Sequence, residues 1–286
     1  MLNLDYSITN NEFTVKFNPI TRPVLPWQEE VKCAAETIRS QTTKDIIIAT
    51  SGGIDAEVAC RGFLAAGIPF RMLISQWADN LNEHDLVHAR NFAQRYRIET
   101  ITRTLDMRKF LSQDMYRYAD QGYKTHMPFR YFQIYLLEEI ERLNATGIVC
   151  SGDIFLVSKD TDVCVSYEQD YFLAEDWCRN NNLQHWPAFH LSTPELTAAF
   201  LNHPVTQFVS SNYRYVQQKA HWVNYNPEKI IMYHSEYRDM LGRRKLMGWE
   251  KLWLEWTTEV RRLHTMFPGI RETDISLSDM RAQLGI

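Results

Sequence analysis

The chain lacks any apolar run long enough to cross a bilayer, and its opening residues, Met1-Leu2-Asn3-Leu4-Asp5, lack the basic and then apolar layout of a secretory leader. Both absences give the expectation of a cytoplasmic protein. Cysteine is scarce: Cys33, Cys60, Cys150, Cys164 and Cys178 are odd in number, widely spaced and without a Cys-x-x-Cys pair. That excludes a disulfide scaffold and a thiolate zinc or redox motif, and leaves reduced thiols. A dominant charge is missing too. Lys and Arg total 31 against 35 Asp and Glu, a net charge of −4, so no global basic field points to a nucleic acid, and a small-molecule substrate is the expected partner. His84 and His88 fall at i, i+4, but there is no His-Glu-x-x-His and no third ligand nearby in sequence, which speaks against zinc. The 286 residues suffice for one large domain, or a core with an extension.

What is present is an apolar run that stops abruptly. Ile46-Ile47-Ile48-Ala49-Thr50 has the unbroken β-branched character of a strand buried on both faces of a parallel sheet, and Ser51-Gly52-Gly53 removes side-chain bulk where it ends. Backbone N–H groups can approach an anion closely there. A helix starting near Asp55 directs its positive dipole end at the same place, which favours phosphate or pyrophosphate. The pattern is neither the Walker Gly-x-x-x-x-Gly-Lys-Ser/Thr nor the dinucleotide Gly-x-Gly-x-x-Gly.

Alternation continues on both sides of the loop. Tyr6 to Thr9, a turn at Asn10-Asn11, and Phe13 to Phe17 predict a short N-terminal hairpin. Pro26-Trp27 opens a helix to about Arg39, with Trp27, Val31, Ala34, Ala35 and Ile38 on one stripe. A helix near 55–66, a strand from Phe70 to Gln76, a helix carrying Leu86, Ala89, Phe92, Ala93 and Tyr96, and a strand from Glu99 to Leu105 follow in order. Then come a largely buried helix, Tyr131 to Leu143, and a fourth strand, Gly147 to Cys150, running into Ser151-Gly152-Asp153. Such alternation predicts an α/β fold with a doubly wound parallel sheet whose ligands lie at the carboxyl ends of its strands.

Beyond residue 155 the alternation stops. Phe155 to Phe172 reads as irregular strands or a hairpin arm, and Thr193-Pro194-Glu195 as an N-cap opening a helix that ends near Asn202. Trp249, Leu252, Trp253, Trp256, Val260 and Leu263 form a stripe suited to core packing. The expected organisation is a hairpin and lead-in helix at 1–40, a nucleotide-binding core at 41–155, and a mostly helical substrate-binding extension at 156–286.

The segment Ser51-Gly52-Gly53-Ile54-Asp55-Ala56 resembles the Ser-Gly-Gly-x-Asp-Ser loop of the PP-loop ATP pyrophosphatases, the adenine nucleotide alpha hydrolase-like superfamily of asparagine, NAD, GMP and argininosuccinate synthetases. Five of its six positions fit; Ala56 stands where the family has a phosphate-binding Ser. The resemblance implies ATP and Mg²⁺, with Ser51, Gly52, Gly53, Ile54, Asp55, Ala56, Ser75, Ser151 and Gly152 binding nucleotide, and Asp55 with Asp153 holding the metal. In the asparagine synthetase-like branch a basic residue near the C-terminus closes over the phosphates. The run Gly242-Arg243-Arg244-Lys245 offers Arg244 and Lys245 for that catalytic role, with a solvated charge run as the alternative.

The reaction so implied is attack of a carboxylate or amide oxygen on the α-phosphate of ATP, with pyrophosphate leaving and AMP released after an amine or other nucleophile attacks. Leu2, where a glutaminase has its Cys, gives no intrinsic ammonia source, and the tail Ser276 to Ile286 has no Cys for sulfonucleotide reduction. The combination resembles virus-encoded members of the superfamily. Two other functions stay open: a nucleotide-binding module without turnover, which Ala56 favours, and a nucleobase- or tRNA-modifying adenylating enzyme. A homo-oligomer stays open as well.

Overall fold

Successive side chains of a strand point to opposite faces, and the buried isoleucines divide accordingly: Ile46 and Ile48 enter one hydrophobic cluster, Ile47 and Ala49 another. In the computed structural model, which describes residues 2–10, 12–150, 154, 156–159, 162–211 and 248–286, these residues form β3 (Asp45–Thr50). It is an inner strand of a parallel four-stranded sheet with β4 (Arg71–Trp77), β5 (Thr100–Leu105) and β6 (Ala145–Val149), in the order β5-β4-β3-β6. Thr50 pairs with Ile74 on one side, and Ala49 with Val149 on the other.

Three helices, α1 (Trp27–Gln41), α2 (Ile54–Ala65) and α3 (Glu83–Tyr96), cover one face through residues such as Val31, Ile38, Val58, Phe63, Leu86 and Phe92. The other face is covered by the helix Pro128–Glu141, through Tyr131, Ile134, Leu137 and Ile140, and by Met107 and Phe110. Two covered faces require apolar residues at every position of the inner strand, as the isoleucine run supplies. The doubly wound α/β reading therefore holds. No described helix is long and apolar enough to cross a membrane.

The N-terminal hairpin forms as expected from β1 (Leu4–Thr9) and β2 (Glu12–Phe17), with Phe13, Val15 and Phe17 on the buried face. It is tied down rather than loose: Tyr6 stacks on Phe172 at 4.3 Å, and Asn3 Nδ2 donates to Thr197 Oγ1. Thr193 caps the helix Pro194–Asn202, its hydroxyl accepting from Leu196 N–H at 3.2 Å. Cys33, Cys60 and Cys178 are free thiols, and burial pushes the Cys60 and Cys178 thiols up from their ordinary range.

Three features depart from expectation or add to it. The arm beyond residue 155 is the hairpin β7 (Leu156–Lys159) and β8 (Asp162–Glu168), and it gains a third strand, β9 (Glu272–Ser276), from the otherwise mostly helical C-terminal part. That strand offers one buried apolar side chain, Ile275, so its own pattern is faint. Trp253 is 64% exposed and leaves the predicted stripe. The reason is a change of helical period: Trp249–Leu252 is a 3₁₀ turn, and the α-helix Trp253–Met266 begins after it, so Leu252, Trp256 and Leu263 face inward. The outer edge of β6 is also covered by Trp186 to Ala188, with Trp186 N–H donating to Gly147 O and Val149 N–H to Trp186 O.

His185 fixes that strap by accepting from Gly147 N–H at 2.8 Å through Nδ1. Burial lowers its pKa to about 4, outweighing the opposite pull of Glu141, 3.3 Å from Nε2. The folded protein binds this proton less readily than the unfolded chain, so the stability due to neutral His185 is complete above about pH 6.5 and is lost as pH falls toward 4. The loss should amount to about 3 kcal/mol at most. Urea unfolding of wild type and His185→Asn at neutral and acid pH should show the smaller drop in the variant, whose Oδ1 can replace Nδ1; parallel drops would refute the assignment.

Candidate functional site

The order β5-β4-β3-β6 makes the gap between β3 and β6 a topological switch point: the chain winds outward from β3 through β4 to β5, then returns to the other side of β3. Ligands of open α/β sheets bind outside the strands' carboxyl ends at such points. The loop Ser51-Gly52-Gly53 lies at one wall of this gap. At the other, β6 reaches Val149 beside Ala49.

The loop is built from Gly52. Its φ of +85° belongs to the left-handed region, and a Cβ there would stand 1.9 Å from the Asp85 carbonyl oxygen. Only glycine permits both. Gly52 N–H donates to Thr50 Oγ1 at 3.2 Å, which folds the chain back over the end of β3. Gly53 then serves as N-cap of α2 and provides no side-chain acceptor, so the first-turn N–H groups of this 12-residue helix have no capping side chain. Those groups and the aligned peptide dipoles make positive potential at the loop.

Asp85 lies in the first turn of α3, which also starts at this edge. Asn82 precedes that helix without capping it. Its Oδ1 accepts from Trp77 N–H and its Nδ2 donates to Ser75 O, both at 2.9 Å. Asn82 thereby binds the end of β4 to the start of α3, and the Asp85 carbonyl extends the connection to Gly52. Neither residue stood out in the sequence. Asn82 followed by Glu83 and Asp85 carried only a helix-start signal, and its side chain goes to the strand instead.

Among the candidate residues, Ser51 is exposed, Gly52, Gly53, Ile54 and Ala56 are buried, and Asp55 is half-buried in the first turn of α2. Ser75 follows Ile74, the partner of Thr50, and so lies on β4 level with the loop, two residues before the strand ends. It is 6% exposed, and its Oγ has no hydrogen-bond partner among the described residues. A buried hydroxyl left in that state is costly unless something else meets it. Ser151, Gly152, Asp153, Arg244 and Lys245 lie outside the described residues. Next to the basic run, Gly248 abuts Trp77, whose ring also meets Trp249 at 4.5 Å and Phe132 at 6.1 Å. The described segment after Arg244 and Lys245 thus begins against the carboxyl end of β4.

The arrangement suits an anion: uncapped helix N–H groups, a turn with two successive glycines, and a hydroxyl without a partner among the described residues. His84 and His88 lie on α3, and no group of three His, Cys, Asp or Glu side chains suited to a metal comes together among the described residues.

No family model matches the chain, and none of the curated proteins matches it. Among solved structures it is similar to an NMN synthetase from Francisella tularensis, at 14% identity and a TM-score of 0.35, covering 84% of this chain and 92% of that one. It is also similar to an NH3-dependent NAD synthetase from Campylobacter jejuni in complex with nitrate, at 13% identity and a TM-score of 0.35, covering 82% and 95%.

The contact at Gly52 predicts a large effect for a small change. Gly52→Ala forces a methyl into the Asp85 carbonyl and strains a left-handed backbone, and should cost about 3 kcal/mol or more. Chemical denaturation measures it; a loss below about 0.5 kcal/mol, the range of ordinary surface changes, would contradict this loop geometry.

Proposed function

We propose that the protein is an ATP-dependent, AMP-forming enzyme of the PP-loop class that adenylates a small carboxylate or amide with release of pyrophosphate. The observation that carries this reading is the uncapped N-terminus of α2, reached through the Gly52 turn, beside the switch point between β3 and β6. Phosphates would accept from the N–H groups of the first turn, and the Ser75 hydroxyl is an available donor at the same edge.

A carboxylate is already a nucleophile, so this reading needs no general base for the first step. The protein's contribution is position and charge: donors held where negative charge accumulates as pyrophosphate departs stabilise the transition state more than the ground state. Mg²⁺ retains phosphate oxygens and waters in its shell and takes only one or two protein carboxylates, which makes Asp55 a suitable ligand and Asp153 its proposed companion. When bound, it would neutralise the polyphosphate charge. Arg244 and Lys245 are the proposed cations over the leaving group. Within the class, the asparagine synthetase-like branch is the finer reading, from the Ser51 to Ala56 motif together with the acid at 153 and the basic run at 243–245.

A second reading, a module that binds adenine nucleotide without cleaving it, draws on Ala56. Its buried methyl occupies the first turn of α2, where the superfamily has a hydroxyl.

Three substitutions separate these readings, each followed by calorimetry of ATP binding and a pyrophosphate release assay. Asp55→Asn should abolish Mg²⁺-dependent release with the fold intact; retained activity would remove Asp55 from the metal site. Ser75→Ala should lower ATP affinity about 3- to 10-fold while leaving the nucleotide-free protein equally stable or more so, because it deletes an unpaired buried hydroxyl. Unchanged affinity would mean that this hydroxyl does not meet phosphate. Ala56→Ser should raise affinity or rate about tenfold, whereas tighter binding with no release in either form would establish the binding module.

A further inference from the structure

The four-stranded sheet closes one of its edges and leaves the other open. Trp186 to Ala188 run beside β6, whereas β5 pairs with β4 alone among the described residues. Open edges are usually blunted by Lys, Pro, a bulge or a very short strand. The sequence of β5, Thr-Ile-Thr-Arg-Thr-Leu, has no Lys and no Pro, and Thr100, Ile101, Thr102 and Thr104 are β-branched. Thr100, Thr102 and Thr104 are also exposed, so no helix overhangs their face of the strand.

The pairing with β4 fixes which backbone groups point outward. Met72 N–H donates to Glu99 O at 2.9 Å, and Met72 stands opposite Thr100. Alternate residues of a parallel strand bond to a given neighbour, so Glu99, Ile101 and Arg103 serve β4. Thr100, Thr102 and Thr104 therefore turn their N–H and C=O toward the open side. Among the described side chains, Arg103 alone reaches these groups, its Nη1 lying 3.5 Å from Thr102 O.

The charges along this edge are self-complementary. Glu99 and Arg103, with side chains 69% and 40% exposed, stand two residues to either side of Ile101. A second β5 laid antiparallel, with Ile101 opposite its own copy, places Glu99 of each chain opposite Arg103 of the other. It also places Thr100 opposite Thr102, and each such pair exchanges both main-chain bonds through groups already facing outward. Centring the pair on Arg103 instead would set like charges opposite one another, which is destabilising. Neither charge is used up at home. Glu99 lies 3.8 Å from Arg71, and Arg103 donates to Glu139 through Nε at 3.2 Å, which leaves the rest of its guanidinium for a second carboxylate.

We propose that β5 is a homodimer interface, pairing antiparallel with β5 of a second copy about a twofold axis at Ile101, so that the two four-stranded sheets become one. Strands run in opposite directions across that axis. The Ser51-Gly52-Gly53 loops of the two copies then lie on opposite rims of the joined sheet, and association does not depend on the reaction proposed above.

The test follows the mass of the full chain against concentration by sedimentation equilibrium. Wild type should be a dimer at about 100 µM. Glu99→Lys and Arg103→Glu should each weaken dimerisation about tenfold or more, because like charges then face one another on both sides of the axis. An equimolar mixture of these two variants should associate as wild type does, since every charge again meets its opposite. Thr102→Pro should weaken dimerisation by a similar factor and leave the circular dichroism of the monomer unchanged, because its N–H serves no bond to β4. Leu254→Asp, at the most exposed large apolar side chain among the described residues, should have no effect. The proposal is overturned by a chain that is monomeric at about 100 µM, by a dimer that survives both charge reversals, or by a mixture that associates no better than its components. Dissociation by Leu254→Asp with the edge variants still dimeric would overturn it as well.

Discussion

Gly52 and the Asp85 carbonyl approach so closely that no side chain fits between them. This contact joins the turn after β3 to the first turn of α3, and Asn82 joins the start of α3 to the end of β4. Two strand ends and two helix starts therefore form one unit, in which a shift of any member displaces the others. The uncapped N–H groups of α2 have a fixed direction because of this unit, and the rest of the candidate site depends on that direction.

The two edges of the sheet are treated differently. At the amino edge, polar groups close on one another: Thr42 and Thr146 share a hydrogen bond of 2.7 Å, Arg39 donates to the Lys44 carbonyl, and Lys44 pairs with Glu141 at 3.2 Å. At the carboxyl edge, and among the described residues, α2 goes without a side-chain cap, the Ser75 hydroxyl is unpaired, and Arg130 is buried without an ion pair. Several local rules are broken together on this one edge, as is expected where a fold gives up stability for binding.

Much of the scaffold was legible because its signals are local. The isoleucine run, the hairpin alternation around Asn10, the helical stripe from Trp27 to Ile38 and the Thr193-Pro194 cap each carry their information within a few residues, and each forms as read. The loop was legible for the same reason, since consecutive small residues after a buried strand leave few other uses. What escaped was long-range. Strand β9 pairs with β8 from about a hundred residues away, with only Ile275 to mark it. Trp253 turned outward because a 3₁₀ turn preceding its helix changed the phase of the stripe.

By itself, then, the sequence determined the sheet, the helices on its two faces and the position of the glycine turn after β3, because periodicity and turn chemistry act between neighbours. The tertiary structure decided which groups meet at that turn. Asn82 abandons capping for Ser75 and Trp77, the Asp85 backbone excludes a side chain at 52, and Phe129 and Tyr171 enclose a guanidinium beside Asp170. No pattern along the chain encodes these choices. Each arises where a buried polar atom must take whichever partner packing brings within reach, and packing is a property of the whole fold.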